Sequence, residues 1–280
     1  MPPGLGHALA AILVWSALAV MTVKLSRVPP LLLAGLALSI GGLCGLGYWR
    51  DWKASPKLLA LGVYGIFGYH LAYFFSLRLA PPVSANLVND LWPLLIILLS
   101  PVFRPDMRLT ARHGAAGLMG FAGAVLLVAG GGAAFKTAHL PGYACAFAAA
   151  LIWATYSLAT SRLRGVPTGV MGLFCLVSGL LALSCHFLFE PAYSWRAGDF
   201  PLIAAMGLGP LGFGFYAWDA GMKRGDPRMI GILSYLIPLL STLLLVAFTG
   251  GTLTANVWLA MGLIVGGAVL GGSASDPKPA

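Results

Sequence analysis

The sequence predicts an all-α polytopic membrane protein of ten transmembrane helices, built as two inverted five-helix repeats, and three observations predict it. The 280 residues are 59% hydrophobic and only 9% charged, whereas a soluble domain carries about a quarter charged residues. The apolar residues fall into ten runs, each near the ~20 residues that cross a bilayer as a helix. Matching residues recur 145 positions apart, so that the second half repeats the first. Ten spans consume roughly 200 positions and leave about seven for each tail and connection. That arithmetic excludes a soluble catalytic or nucleic-acid-binding domain.

In order, the spans cover residues 6–24, 30–49, 57–78, 82–103, 112–132, 139–161, 168–189, 200–222, 227–249 and 254–272, and residues 274–280 form a cytoplasmic tail. No Lys or Arg precedes the first run, so it reads as a span and not as a cleaved signal peptide, whose n-region is basic. Trp49 and Trp52 follow span two, Trp195 lies between spans seven and eight, and Trp258 opens span ten. All four sit where amphipathic rings anchor at the headgroup level. Gly41, Gly42, Gly45 and Gly47, and Gly117, Gly120 and Gly123, are small-residue rows that let helices approach closely in lipid. Cys44, Cys145, Cys175 and Cys185 lie inside apolar runs without CxxC spacing. They read as buried packing residues, with no disulfide framework and no metal site.

The net charge of +9 and pI near 9.7 reflect topology and not a nucleic-acid partner. With a cytoplasmic N-terminus, the inner segments hold Arg50, Lys53, Lys57, Arg104, Arg108, Arg112, Arg162, Arg164, Lys223, Arg224, Arg228 and Lys278, and the outer ones only Lys24, Arg27, Arg78, Lys136 and Arg196. The positive-inside rule then puts both termini in the cytoplasm, because the number of spans is even.

The repeat supports this count. At an offset of 145, Gly62, Leu77, Arg78, Pro82, Leu91 and Pro93 fall opposite Gly207, Met222, Lys223, Pro227, Leu236 and Pro238. At 138, Trp15 and Lys24 fall opposite Trp153 and Arg162. An odd number of spans per copy inserts the copies in opposite directions, the architecture of alternating access with substrate near the midplane. The expected units are residues 1–135 and 136–273.

Charged and polar groups at membrane depth are costly, so each is a functional candidate. Span four carries Asn86, Asn89, Asp90 and Trp92 at spacings that place a polar, aromatic stripe on a helix broken near Pro93, with Pro238 its counterpart in span nine. The other reading is that the asparagines bond across helices and Asp90 pairs with a neighbour. In span three Tyr69, Tyr73 and Ser76 share a face with His70 beside it, and His70 is either a satisfied structural group or a partner for a carboxylate or proton. Trp218 in span eight and Tyr235 in span nine are their counterparts in the second copy, whereas Asp219 reads as solvated near the cytoplasmic end. Trp15 and Trp153 sit too deep for an interfacial belt. Trp153, with Tyr156 nearby, is the stronger candidate for a stacking wall.

These residues resemble the drug/metabolite transporter superfamily of EamA type along the whole chain. Leu87-Val88-Asn89-Asp90-Leu91-Trp92-Pro93, Tyr216-Ala217-Trp218 and Ser234-Tyr235-Leu236-Ile237-Pro238 look like its branch of YddG-type aromatic amino-acid exporters. The chain departs from the pattern in two places. The family's Gly-Glu-Arg after spans four and nine is replaced by Phe103-Arg104-Pro105-Asp106 and Gly250-Gly251-Thr252, and Asp90 stands where the branch often has Tyr.

The resemblance implies a bacterial inner-membrane exporter of amino acids, aromatic and other neutral ones in preference, that works by alternating access through a central cavity. On this reading Asp90 and Asn89 accept from the ammonium, His70 and tyrosine hydroxyls such as Tyr69 and Tyr73 meet the carboxylate, and Trp92, Trp153 and Tyr73 face the side chain, with Tyr156, Trp218 and Tyr235 completing the lining. Pro93 and Pro238 serve as hinges. No P-loop is present, so energy comes from gradients, with facilitated diffusion favoured and no cofactor or obligatory protein partner expected. Proton-coupled export of another metabolite or drug is the alternative. An intramembrane enzyme is remote, since His-Glu-x-x-His and Gly-x-Ser-x-Gly motifs are absent and the five histidines are scattered.

Overall fold

A computed structural model of the chain describes residues 3–129, 136–249 and 254–273. Among them are ten helices long and apolar enough to cross a membrane: α1 (Leu5–Lys24), α2 (Pro30–Asp51), α3 (Pro56–Leu79), α4 (Pro82–Phe103), α5 (Ala111–Val128), α6 (Thr137–Ser161), α7 (Thr168–Phe189), α8 (Asp199–Arg224), α9 (Pro227–Phe248) and α10 (Ala255–Gly272). Their ends fall within two residues of the predicted ones, except at the end of α5, whose expected continuation to residue 132 lies outside the described residues. The junction of the two expected units, the Gly250-Gly251-Thr252 segment and the tail at 274–280 also lie outside them.

Local chemistry explains where several helices begin. Pro30, Pro56, Pro82 and Pro227 open α2, α3, α4 and α9, positions at which the missing N–H costs nothing. The Ser55 hydroxyl accepts from Leu58 N at 3.2 Å, and Asp226 accepts from Arg228 N at 2.9 Å, satisfying otherwise orphaned donors.

The helices pair in a pattern that survives adding or subtracting five. α2 packs along α7, α5 along α10 and α4 against α9; α3 packs against α6 as α8 does against α1, and α4 meets α6 as α9 meets α1. Glycines bring the central pairs close. A Cβ on Gly42 would lie 2.6 Å from Leu176 N of α7, and one on Gly179 would lie 2.7 Å from Ser39 N of α2, so any larger residue forces these backbones apart.

Interruptions also recur 145 residues apart. A π-helical turn at Tyr64–Gly68 in α3 has its counterpart at Gly209–Phe213 in α8. α4 breaks at Asp90 (φ −65°, ψ 2°), and α9 breaks at Tyr235 (φ −67°, ψ −9°). The breaks therefore precede Pro93 and Pro238 instead of coinciding with them. Each proline sits in the first turn of the following segment, Trp92–Phe103 or Leu236–Thr249, where it is tolerated.

Two interfacial expectations change. Trp49, Trp195 and Trp258 are exposed, but Trp52 is half-buried with its ring against Gly172 of α7. Cys44 is exposed and Cys145 and Cys185 are only partly covered, so Cys175 alone is the buried packing residue expected of all four.

Candidate functional site

Side chains just past the two π turns and just past the break in α4 form one connected array in the main core, whereas Tyr235 at the break in α9 lies in a neighbouring cluster. Trp153 of α6 is its hub, with ring centroids 5.7 Å from Trp15, 5.6 Å from Tyr69, 5.6 Å from Phe215 and 6.0 Å from Trp218. Trp218 extends the array to Trp92 of α4 at 5.5 Å, edge to face. The Trp15 and Trp92 contacts are edge-on, those of Tyr69 and Phe215 tilted and that between Trp153 and Trp218 stacked, at spacings usual for aromatic pairs. Gly214 makes room for the Trp15 indole, whose Nε1 donates to the Pro210 carbonyl at 2.9 Å. That carbonyl belongs to the π turn of α8, where the wider spacing releases a backbone acceptor.

The polar residues flank this array on the α3–α4 side. The Tyr73 hydroxyl donates to Asn86 Oδ1 in a short hydrogen bond, and Tyr69 stacks on Tyr73 at 5.9 Å. Asn89 Nδ2 reaches the Tyr69 hydroxyl at 3.5 Å. Both asparagines therefore bond across to α3, as one of the two sequence readings held. Asn89 Oδ1, however, is buried with no hydrogen-bond partner among the described residues. Asp90, half-buried beside it, lies within electrostatic reach of Tyr69, Tyr73 and Tyr235 and forms no ion pair with a described residue. A buried acceptor and a carboxylate without a cation form a pair suited to a donor-rich, positively charged group.

His70, read either as a satisfied structural group or as a partner for a carboxylate or proton, bonds within its own helix. Its Nδ1 lies 2.7 Å from the Ile66 carbonyl. A carbonyl only accepts, so Nδ1 carries the proton and a neutral ring offers Nε2 as an acceptor. It therefore suits a donor better than a carboxylate. Its ring meets Tyr69 at 5.2 Å and Phe215 at 6.3 Å.

Tyr156 lies 5.6 Å from Trp153 and belongs to the array, whereas Tyr235 lies in a neighbouring cluster. Tyr156 is buried against Gly65, with its hydroxyl donating to Met171 Sδ at 3.4 Å. Tyr235 packs its ring on Gly120 and lies 6.4 Å from Phe121. Trp15, rated below Trp153 from sequence, is as central as its counterpart, and Phe215 joins both. The offset of 138 was the available signal for Trp15.

Asp219 is not solvated. It is buried on α8 in an ion pair with Lys223 Nζ at 2.7 Å and accepts from the Thr168 hydroxyl at 2.8 Å. Lys223 Nζ also donates to the Val166 carbonyl at 2.9 Å, tying the end of α8 to the α6–α7 connection. Among the described residues no group of His, Cys, Asp and Glu is arranged to hold a metal ion.

Known proteins share this architecture. The aromatic amino acid exporter YddG of Ancylobacter novellus is 45% identical over 270 residues, covering 93% of each chain. The exporter of the same name from Escherichia coli K12 is 25% identical over 278 residues, covering 94% of each. A crystal structure of a protein 44% identical in sequence matches with a TM-score of 0.92, covering 95% of this chain and 94% of that one. The EamA-like transporter family matches residues 2–129 and again 140–271. The chain belongs to this family and is a multi-pass membrane transporter.

Proposed function

From that membership, we propose that this transporter exports neutral amino acids across the bacterial inner membrane, aromatic ones in preference, with both termini in the cytoplasm. The observation that carries the reading is the pairing of an unpartnered, buried Asn89 Oδ1 and an unpaired Asp90 with a wall of indole rings. An amino acid has an ammonium for the first and, when aromatic, a planar side chain for the second. Asp90 and Asn89 accept from the ammonium, with His70 Nε2 a further acceptor. Tyr69 and Tyr73 hydroxyls serve the carboxylate. Trp92, Trp153 and Trp218 face the side chain, while Tyr156 extends that wall and Tyr235 lies in the neighbouring cluster.

Alternating access follows from two inverted units, residues 1–135 and 136–273, rocking about the shared centre. The double family match and the interruptions spaced by 145 residues support that division. The breaks before Pro93 and Pro238 are the hinges, since a helix lacking regular bonds at one turn bends there most easily. Transport is facilitated diffusion, because among the described residues Asp90 has no second carboxylate beside it in α4 or in the packed α3 to hand on a proton.

The test is flux in proteoliposomes with labelled tryptophan, phenylalanine, threonine and methionine, with and without an imposed pH gradient. Tryptophan and phenylalanine are expected to move fastest, and without the gradient. Movement of a drug but of no amino acid sinks the substrate assignment, and a requirement for the gradient sinks the uniport.

A further inference from the structure

Of the five basic residues on the outer side of the expected topology, three come together although they are far apart in sequence. Lys24 ends α1, Arg27 lies in the α1–α2 connection and Arg196 lies in the α7–α8 connection, and all three line one pocket of about 260 Å³. Three cations gathered around one carboxylate, Asp199, leave an excess of positive charge, so the arrangement needs an account. None of the three forms an ion pair with a described residue.

The two carboxylates at this end are committed elsewhere. Glu190 is spent on the N-terminus of α2, accepting from Leu31 N at 2.8 Å and Leu32 N at 3.0 Å, and on His186 Nδ1 at 2.8 Å. Asp199 lines the pocket but is turned to local bonds, accepting from the Tyr193 hydroxyl at 3.0 Å and from the Arg196 backbone N–H at 2.8 Å. These bonds fix the frame around the pocket and hold Asp199 away from a direct ion pair, so that its one negative charge offsets only part of the three positive ones.

The depth of the pocket follows from its neighbours. Trp195, beside Arg196, is exposed and stacks on exposed Phe200 with centroids 4.8 Å apart, and Tyr193 meets Trp195 at 5.2 Å. A belt of such rings marks the headgroup level of a bilayer. At that level the abundant oxyanion is the phosphodiester of a phospholipid, which a guanidinium meets through two parallel hydrogen bonds and an ammonium through charge. The apolar floor supplied by Leu25, Val28 and Leu202 suits the glycerol stem. The volume holds a headgroup and not a whole lipid, leaving the acyl chains in the membrane.

We propose that Lys24, Arg27 and Arg196 form a binding site for the headgroup of one anionic phospholipid at the α1–α2 and α7–α8 end of the bundle. An anionic lipid is favoured over a zwitterionic one because three cations face a single carboxylate, which leaves the pocket with an excess of positive charge. The site is separate from the central array and does not depend on what that array transports.

Native mass spectrometry of the detergent-released full-length protein, titrated with phosphatidylglycerol or with phosphatidylcholine of the same chains, tests this. The wild type is expected to retain one phosphatidylglycerol in preference. The triple variant Lys24→Gln/Arg27→Gln/Arg196→Gln is expected to bind it at least about tenfold more weakly, and single Arg27→Gln to fall between. Lys53→Gln/Lys57→Gln, at the opposite end, is expected to match wild type. Thermal melts in neutral detergent establish that each variant is folded; should the triple variant fail, single Arg27→Gln decides. Unchanged retention in the folded variants, or an equal loss in the Lys53/Lys57 variant, overturns the site. Full displacement of the lipid by millimolar inorganic phosphate overturns the assignment to a lipid headgroup.

Discussion

Positions 145 residues apart occupy matching places in the two halves, and their side chains differ in one consistent direction. In α3 and α4 they are Tyr69, His70, Tyr73, Asn86, Asn89, Asp90 and Trp92; in α8 and α9 they are Gly214, Phe215, Trp218, Gly231, Ser234, Tyr235 and Ile237. The first set is mostly polar and includes half-buried Tyr69, His70, Tyr73, Asn86 and Asp90, whereas Gly214, Phe215, Trp218, Ser234 and Tyr235 are buried. The backbone device is shared, with a π turn and a broken helix in each half. A scaffold can thus be nearly symmetric while its chemistry is not: in the proposed exporter one half holds the zwitterionic head and the other supplies the greater part of the ring wall.

The helix ends show the same contrast. Asp219 and Lys223 form a buried ion pair; at the matching places Arg78 lies over the Phe74 ring at 5.5 Å and donates to the Phe189 carbonyl at 2.9 Å. Removing one member of a buried pair strands a charge. Lys223→Met is therefore expected to cost about 3 to 5 kcal/mol, and Asp219→Leu/Lys223→Met together to recover most of it. Arg78→Met, losing an exposed cation–π contact, is expected to cost about 1 kcal/mol. Thermal unfolding in detergent compares them, and equal losses at the two ends break the contrast.

The breaks offer the next test. Asp90→Asn keeps the shape but removes the charge, which at about 1.5 to 3 kcal/mol lowers tryptophan flux roughly 10- to 100-fold. Tyr235→Phe is expected to change it less than about threefold, because the buried Tyr235 hydroxyl has no hydrogen-bond partner among the described residues to lose. Comparable losses in liposome flux would place substrate contacts in both halves.

A smaller effect separates Tyr73 from its counterpart Trp218. Tyr73→Phe leaves Asn86 Oδ1 without its donor in the polar flank, and about 1 kcal/mol there raises the half-saturation concentration about fivefold. Trp218→Phe removes the bond from Nε1 to Ser157 Oγ at 3.0 Å and is expected to alter the preference among side chains instead. Competition between tryptophan and threonine in the flux assay distinguishes the two outcomes.

The smallest effect lies just past α4. The Arg104 guanidinium, bonded to Asp106 at 2.7 Å, holds that carboxyl below its usual range. A depressed folded-state pKa adds stability above the unfolded value near 4, and this is lost as pH falls through the folded value. Asp106 is largely exposed, so Asp106→Asn is expected to cost under about 1 kcal/mol at pH 7. The difference from wild type should vanish on acid titration once the pH has fallen through the depressed folded value, as followed by the melting midpoint.

Much of this molecule was legible because lipid imposes a simple rule on its helices. Ten apolar runs predicted ten spans, and the prolines at 93 and 238 announced interrupted helices, although the breaks fall ahead of them since proline fits a first turn. Asn86, Asn89 and Tyr73 were readable as a helical stripe. Asp219 was not, because its setting depends on Thr168 and Val166, brought in by a connection about 50 residues away in sequence; only Lys223, one turn on, was visible. The bond that His70 makes within its own helix was hidden for a related reason, since it depends on which ring nitrogen meets the Ile66 carbonyl. Cys44 is exposed because apolar runs without a polar face leave helix rotation unspecified, and Trp52 is half-buried because Gly172 of α7, distant in sequence, leaves room for its ring.

The four central indoles carry an optical consequence. Trp15, Trp153 and Trp218 are mutual neighbours at 5.1 to 6.0 Å, with Trp92 5.5 Å from Trp218. Chromophores at such separations share their excitation, so the near-ultraviolet dichroism of the protein should contain an exciton couplet whose sign reports the relative twist of α1, α6 and α8. A movement of these helices too small to alter the overall shape would register in that spectrum, and the wild-type chain needs no added label to be watched.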